Sequence, residues 1–268
     1  MLSCRQSIRA ALLGPLAAAA MLGAGCATAP QDPIRRAAYD EANDPLEPLN
    51  RYFFEVNYGL DELVFKPLAG WYYTALPNFV QDRVRDFLRH LATPVVLIND
   101  LLQGDTERAG VTWTRFFVNT TLGIGGLFDV AAEMDLPYHD EDFGQTLAVA
   151  GAGEGPYLML PILGPSNPRD LIGRAVDSFL DPIRYAGGGI ADLSFARSGA
   201  EGIDLRARNL HTLDEIREGA IDYYATIRSL YRQRRDDAIR NGAPAEDEDY
   251  PGIIFEDSEA DSEDVEVN

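Results

Sequence analysis

The side chains that most often perform chemistry are few in this chain and badly spaced for it. His90, His139 and His211 stand on separate segments, and no pair has the i, i+4 spacing that sets two imidazoles on one helical face for a metal ion. Ser166, in "GPSNP", lacks the second glycine of a nucleophile elbow, and no strand pattern precedes it. "GAGEGP" has the wrong spacing for a dinucleotide-binding turn, and Lys66, the sole lysine, is not in a phosphate loop. "HDEDF" at 139–143 offers oxygen donors for a weak Ca²⁺ site, but a solvated acidic turn is the favoured reading. The expectation is a non-enzyme with no cofactor and no metal. A lipid hydrolase working through Ser166 or His139 is the catalytic alternative.

One side chain does carry a strong chemical signal. "MLSCRQSIR" supplies Arg5 and Arg9, "AALLGPLAAAAML" is apolar, and "GAGC" ends at Cys26. This is a signal peptide of residues 1–25, too short and too interrupted by Gly14 and Pro15 to span a membrane. The Cys after small residues resembles the lipobox of bacterial lipoproteins, with Gly23 where leucine is usual. The resemblance implies lipidation of Cys26, and Ala27 after it implies sorting to the outer membrane. An ordinary cleavage site is the other reading. Cys4 leaves with the signal peptide, so no disulfide is expected in the mature chain.

Charge restricts the partners. The 43 acids against 23 bases give a net −20, and loss of Arg5 and Arg9 takes the mature chain to about −22. No basic face is available for phosphate backbones, so nucleic acid is not an expected partner. From Asn241 onward the chain holds 11 acids and no base, and residues 243–268 read as a solvated, disordered tail. Residues 26–43 read as the lipidated Cys and a flexible tether, leaving 44–242 as one domain.

The elements within that domain are mainly helical. Leu46, Leu49, Phe53, Val56, Leu60 and Leu63 form one apolar stripe, with Asp44 as cap and Pro45 at the first position. Phe54, Tyr58 and Phe65 fall off the stripe, so the apolar surface is wider than one core contact needs. "NFVQDRVRDFLRHL" predicts a second helix, with Val80, Val84, Phe87, Leu88 and Leu91 inward and Asp82, Arg83, Arg85, Asp86 and Arg89 outward. Pro94 should end it and open a third helix closed by Gly104. Asp105 should cap a fourth, with Glu107 in its first turn. Residues 143–168, with prolines at 156, 161, 165 and 168, read as irregular extended chain, followed by a helix from Pro168 or Arg169. "DLIGRAVDSFLDPI" and the segment from Asp204 to Gly242 are helical again.

Trp71, Tyr72, Tyr73, Phe79, Trp113, Phe116 and Phe117 cluster in the part of the chain that also carries the uncharged loops. Individually they could be core; together, near a lipid anchor, they suit a body lying against a bilayer leaflet. "TTLGIGGLFD" is the most apolar of the loops. With the preceding residues it makes 13 uncharged positions, Phe116–Phe128, too few to span a bilayer. A buried turn and a flexible apolar hairpin are both open, with Gly123, Gly125 and Gly126 supplying backbone freedom.

"NDPLEPLNRYFFEVNYGLDELVFKPLAGWYY", "LLQGDTERAGVTWTRFFVNTTLGIGGLFDVA", "FGQTLAVAGAGEGPYLMLPILGPSNPRDLIG" and "DSFLDPI" together resemble the MlaA (VacJ) lipoproteins of the Gram-negative outer membrane. The resemblance implies a mainly α, ring-like body in the periplasmic leaflet with an amphipathic central channel, a glycine-rich hairpin and an irregular extended segment. It implies removal of mislocalised phospholipids from the outer leaflet and their transfer to a soluble periplasmic lipid-carrier protein, with a trimeric porin as partner. It places Leu122, Gly123, Ile124, Gly125, Gly126, Leu127 and Phe128 beside the lipid path, and makes Asn57 and Tyr58 candidates for controlling its opening. A structural lipoprotein that anchors a porin or the envelope without moving lipid is the alternative.

Overall fold

The structure is a computed structural model that describes residues 29–185 and 190–243, without the side chains of residue 34 and residues 190–195. The expected signal peptide, Cys26 and the acidic tail beyond Ala243 lie outside the described residues. The fold is mainly α. In chain order the helices are α1 (Pro33–Ala42), α2 (Glu47–Leu60), α3 (Lys66–Ala75), α4 (Asn78–Gln103), α5 (Thr106–Thr121), α6 (Phe143–Val149), α7 (Pro168–Leu180), α8 (Ile190–Arg208), α9 (Leu210–Gly219) and α10 (Tyr223–Ile239). One antiparallel hairpin interrupts them, with β1 (Leu158–Leu160) paired to β2 (Gly164–Ser166) and Met159 opposite Pro165.

Several local expectations need correction. The tether is helical over α1, because Asp32 caps it by accepting from the Arg35 amide. Asp44 does not cap α2; it is buried, accepting from Asn50 (2.7 Å) and Arg228 (2.8 Å), and also from the Tyr224 hydroxyl. A π-turn over Asp61–Phe65 joins α2 directly to α3. Pro94 breaks nothing: α4 runs through it for 26 residues to Gly104, which closes the helix in the left-handed conformation. Within 143–168, α6 is regular, capped by Asp142 accepting from the Gln145 amide. The starts of α5 at the Asp105 cap and of α7 at Pro168, capped by Asn167, follow the sequence reading.

The larger correction concerns which side of each helix faces in. On α2, Asn50 and Phe54 are buried, while Val56 and Leu63 of the expected inward stripe lie exposed. On α4 the buried residues include Gln81, His90, Thr93, Asn99 and Asp100, while Phe79, Val80 and Phe87 face outward. On α5, Thr112, Arg115 and Asn119 are buried, while Trp113 and Phe117 are 57% and 61% exposed. The largest fully buried side chains are all polar: Asn50, Asn99, Asn167, Asp44, Asp100 and Ser166.

A polar interior is stable only if its groups satisfy one another. Asn99 donates to Asp177 (3.0 Å) and accepts from Thr146 (2.9 Å), tying α4 to α6 and α7. Thr112 donates to Asp100 (2.6 Å), which also meets His139 at 3.1 Å. Arg235 of α10 reaches Asp142 (2.5 Å) and Asp170 (2.8 Å). An apolar cluster, Phe54, Tyr157, Met159 and Tyr224, sits where α2, the hairpin and α10 meet. Its rings pack edge to face, with Phe54 and Tyr224 5.5 Å apart.

Candidate functional site

Helices α4, α7, α8 and α10, with the loop before α6 and the turn after α7, face a common cavity of about 980 Å³. Helix α4 contributes Arg85, Leu88, Arg89, Ala92, Val95 and Val96, the one stripe that 3.6-residue periodicity brings to a single side. Helix α7 contributes Arg174, Asp177 and Ser178, continued by Asp181. Helix α8 contributes Arg197, Ser198, Glu201, Asp204, Leu205 and Arg208. Tyr138, Asp140, Glu141 and Asp142 come from the loop before α6, and Arg184 and Arg234 complete the wall. The lining is amphipathic: an apolar band on α4 faces charges of both signs. Burial pushes the Asp177 and Glu141 carboxyls upward against their hydrogen-bond donors, Phe143 N and Asn99 for Asp177 and Gln103 for Glu141.

The glycine turn stands next to this cavity without lining it: none of residues 122–128 belongs to the wall. It packs on His90, the neighbour of Arg89. Gly126 has φ +88°, and a Cβ there would lie 2.2 Å from the His90 ring. A Cβ on Gly123 would meet the Phe128 carbonyl oxygen at 2.2 Å, so these glycines serve close approach. His90 is stacked on Phe116 (5.1 Å, 8°) and meets Thr120 at 3.2 Å, and its burial favours the neutral ring.

The turn is closed by backbone hydrogen bonds. The amides of Gly123, Gly125, Gly126 and Phe128 donate to Val118, Thr120, Asn119 and Gly123 respectively, at 2.8–3.2 Å. Leu122 and Ile124 are 65% and 67% exposed, and Leu127 is exposed too. Ile124 holds φ +54°, an uncommon conformation for a β-branched residue, while presenting its side chain outward. Phe128 turns back under Arg83, whose guanidinium lies 4.6 Å from its ring. Beneath the turn, Arg115 holds Asp129 at 2.6 Å and Asn119 donates to it at 2.9 Å.

Asn57 and Tyr58 lie elsewhere. Asn57 donates to the Leu160 carbonyl (2.8 Å) and accepts from the Ile162 amide (2.7 Å), so it clips α2 to the hairpin turn. Tyr58 carries the Arg217 guanidinium over its ring at 5.0 Å. Ser166 is fully buried, and His139 meets Asp100 and Thr112. The described residues contain no group of three metal-ligating side chains, and no helix among them is long and apolar enough to cross a membrane. Sequence reasoning missed the cavity residues. Their signal was present as charges recurring on one face of α7 and of α8, a pattern that reads as solvent-facing on a helix with an ordinary core.

With many polar side chains buried, large apolar ones exposed and a cavity of mixed charge among its helices, the described body is that of an amphipathic helical protein. Comparison makes the class specific. The family described as MlaA lipoprotein matches residues 42–238, and the chain belongs to that family. It is 33% identical over 243 residues to the intermembrane phospholipid transport system lipoprotein MlaA of Escherichia coli, covering 89% of this chain and 92% of that one. The protein of the same description from Haemophilus influenzae is 33% identical over 207 residues, covering 75% and 81%. An uncharacterized protein of Rickettsia felis is 36% identical over 201 residues, covering 75% and 79%. A solved structure from work on the structural basis for maintenance of bacterial outer membrane lipid asymmetry superposes with a TM-score of 0.67 at 34% identity, covering 73% of this chain and 98% of that one.

Proposed function

We propose that the chain is an outer-membrane lipoprotein, anchored in the periplasmic leaflet through acylated Cys26, that removes mislocalised phospholipids from the outer leaflet and passes them to a soluble periplasmic carrier. It thereby maintains lipid asymmetry, and it works beside a trimeric porin. The observation that carries this reading is the amphipathic cavity inside a body whose apolar side chains face outward. A phospholipid head group crosses an apolar layer only at a cost of several kcal/mol unless polar partners accompany it. Charged walls on α7 and α8 accompany the head, while the apolar band of α4 meets the chains. The exposed Leu122, Ile124 and Leu127 continue the outer apolar surface beside that path. Asn57 and Tyr58, on the helix that holds the hairpin, are the candidates for controlling opening.

Deletion of the gene followed by measurement of surface-exposed phospholipid tests the reading. We expect exposed phospholipid to rise on deletion and to fall again with the wild-type chain, but not with a stably expressed Leu122→Asp, Ile124→Asp variant. Unchanged asymmetry after deletion would overturn it and favour a purely structural lipoprotein.

A further inference from the structure

This acidic chain encloses a cavity that is short of free negative charge. The sequence carries a net −20, yet the cavity wall holds seven arginines and seven carboxylates. Most of those carboxylates are already committed. Glu141 and Asp142 are held by Arg108 (2.9 Å) and Arg235 (2.5 Å), neither of which belongs to the wall. Asp181 and Glu201 share Arg197 (2.7 and 2.8 Å), and Asp204 takes Arg208 (3.0 Å) and Arg85 (3.6 Å). Arg234 acts through space on Asp140. The remaining carboxylate, Asp177, accepts from the Asn99 amide and the Phe143 backbone at 3.0 Å each.

Arg89, Arg174 and Arg184 are left with no carboxylate within ion-pair distance among the described residues. All three line the same cavity. Arg89 has its guanidinium carbon over the Tyr138 ring at 4.6 Å, and Arg184 over Phe179 at 4.8 Å while donating to Ser178 Oγ at 2.7 Å. A guanidinium seated on a ring keeps its edge N–H donors free for the fork-like recognition of phosphate oxygens. The hydrogen bond from Arg174 to the Pro165 carbonyl is long, at 3.4 Å, and leaves its other donors open. Leu88 and Ala92 flank Arg89 on the same stripe, so acyl chains could lie against α4 with the phosphate at the arginines.

We propose that Arg89, Arg174 and Arg184 form a phosphate-recognition site in the cavity, and that their uncompensated charge makes it prefer anionic phospholipid head groups to zwitterionic ones. The inference rests on the lipid-transport reading above and adds the head-group class. An anionic head brings the charge this wall lacks, whereas a zwitterionic head also brings an ammonium group, for which only Asp140 and Asp177 stand without a cation at ion-pair distance among the described residues.

The test uses the full lipoprotein purified in detergent, mixed with equimolar phosphatidylglycerol and phosphatidylethanolamine, with retained lipid measured by mass spectrometry after gel filtration. Wild type should retain phosphatidylglycerol in several-fold excess. An Arg174→Gln, Arg184→Gln double variant should return the ratio to that of the mixture while total lipid per protein is kept. Arg36→Gln, on α1 and outside the wall, should leave the wild-type ratio. If the double variant does not fold, Arg174→Gln alone should still lower the ratio, since that side chain is exposed. Equal retention by wild type, or an excess unchanged in the arginine variants, overturns the site. Binding of inorganic phosphate without enrichment of either lipid overturns it in favour of a free-phosphate site. Absence of any lipid on the wild type would instead sink the transport reading itself.

Discussion

Arg115 and Asp129 show how a polar interior is kept at the level of single residues. Burial alone would raise the Asp129 carboxyl, but hydrogen bonds from Arg115 and Asn119 outweigh it and hold the carboxyl below its ordinary value. A depressed carboxylate stabilises the fold fully above its unfolded pKa of about 3.9 and loses that contribution as pH falls through the folded value. Arg115→Met removes the guanidinium but leaves the burial and the Asn119 and Ala132 donors, so the folded carboxyl should titrate higher than in wild type. The contribution lost is the one present above the unfolded pKa, so the deficit against wild type should be largest at neutral pH, at roughly 3 kcal/mol, and shrink as pH falls. Unfolding midpoints measured from neutral pH downward check this, and a deficit independent of pH would refute it. The cost itself was not legible in the sequence, where Arg115 is one basic residue among aromatic ones and Asp129 merely ends an apolar run.

The elements were legible in their periods and caps, less so in their joints. The Asp105 cap and the start at Pro168 follow from local hydrogen bonding, which depends on neighbours three residues away. Pro94 misleads because its own effect is local, whereas the packing of α4 on both sides of it is not. The α2–hairpin joint depends on Asn57, whose partners lie more than 100 residues ahead. Asn57→Ala should leave the Ile162 amide and Leu160 carbonyl without their protein partners, a loss of about 1 kcal/mol. Hydrogen exchange at Ile162 should then quicken while the amides of α5 keep wild-type protection. Unchanged exchange at Ile162 would show that the clip contributes nothing.

At the scale of the whole molecule, the outward apolar surface is the property that sets the environment. Trp113 and Phe117 stand one turn apart on α5 and lead toward the exposed Leu122 and Ile124. Moving one such side chain from lipid to water costs about 1.5–3 kcal/mol. A chain begun at Ala27, without the lipid anchor, should therefore bind vesicles, and Trp113→Ser with Phe117→Ser should weaken that binding at least tenfold. The same double variant should unfold in detergent within a few degrees of wild type, because neither residue is buried. A large fall in its unfolding temperature would mean that these rings support the fold instead.

Taken alone, the amino-acid order determines the helical periods, several caps, the lack of a recognisable catalytic constellation and, through four long motifs, the family. It could not determine which stripe of each helix faces inward. An amphipathic period marks two faces and says nothing of the medium each one meets, and the usual assignment assumes water outside. Here Asp44 meets Arg228 and Tyr224, Asn50 meets Tyr157, and Asn99 meets Asp177 only through tertiary contacts between distant elements. Once they do, these polar groups are held in the interior and Val56, Phe87, Trp113 and Phe117 are left facing out.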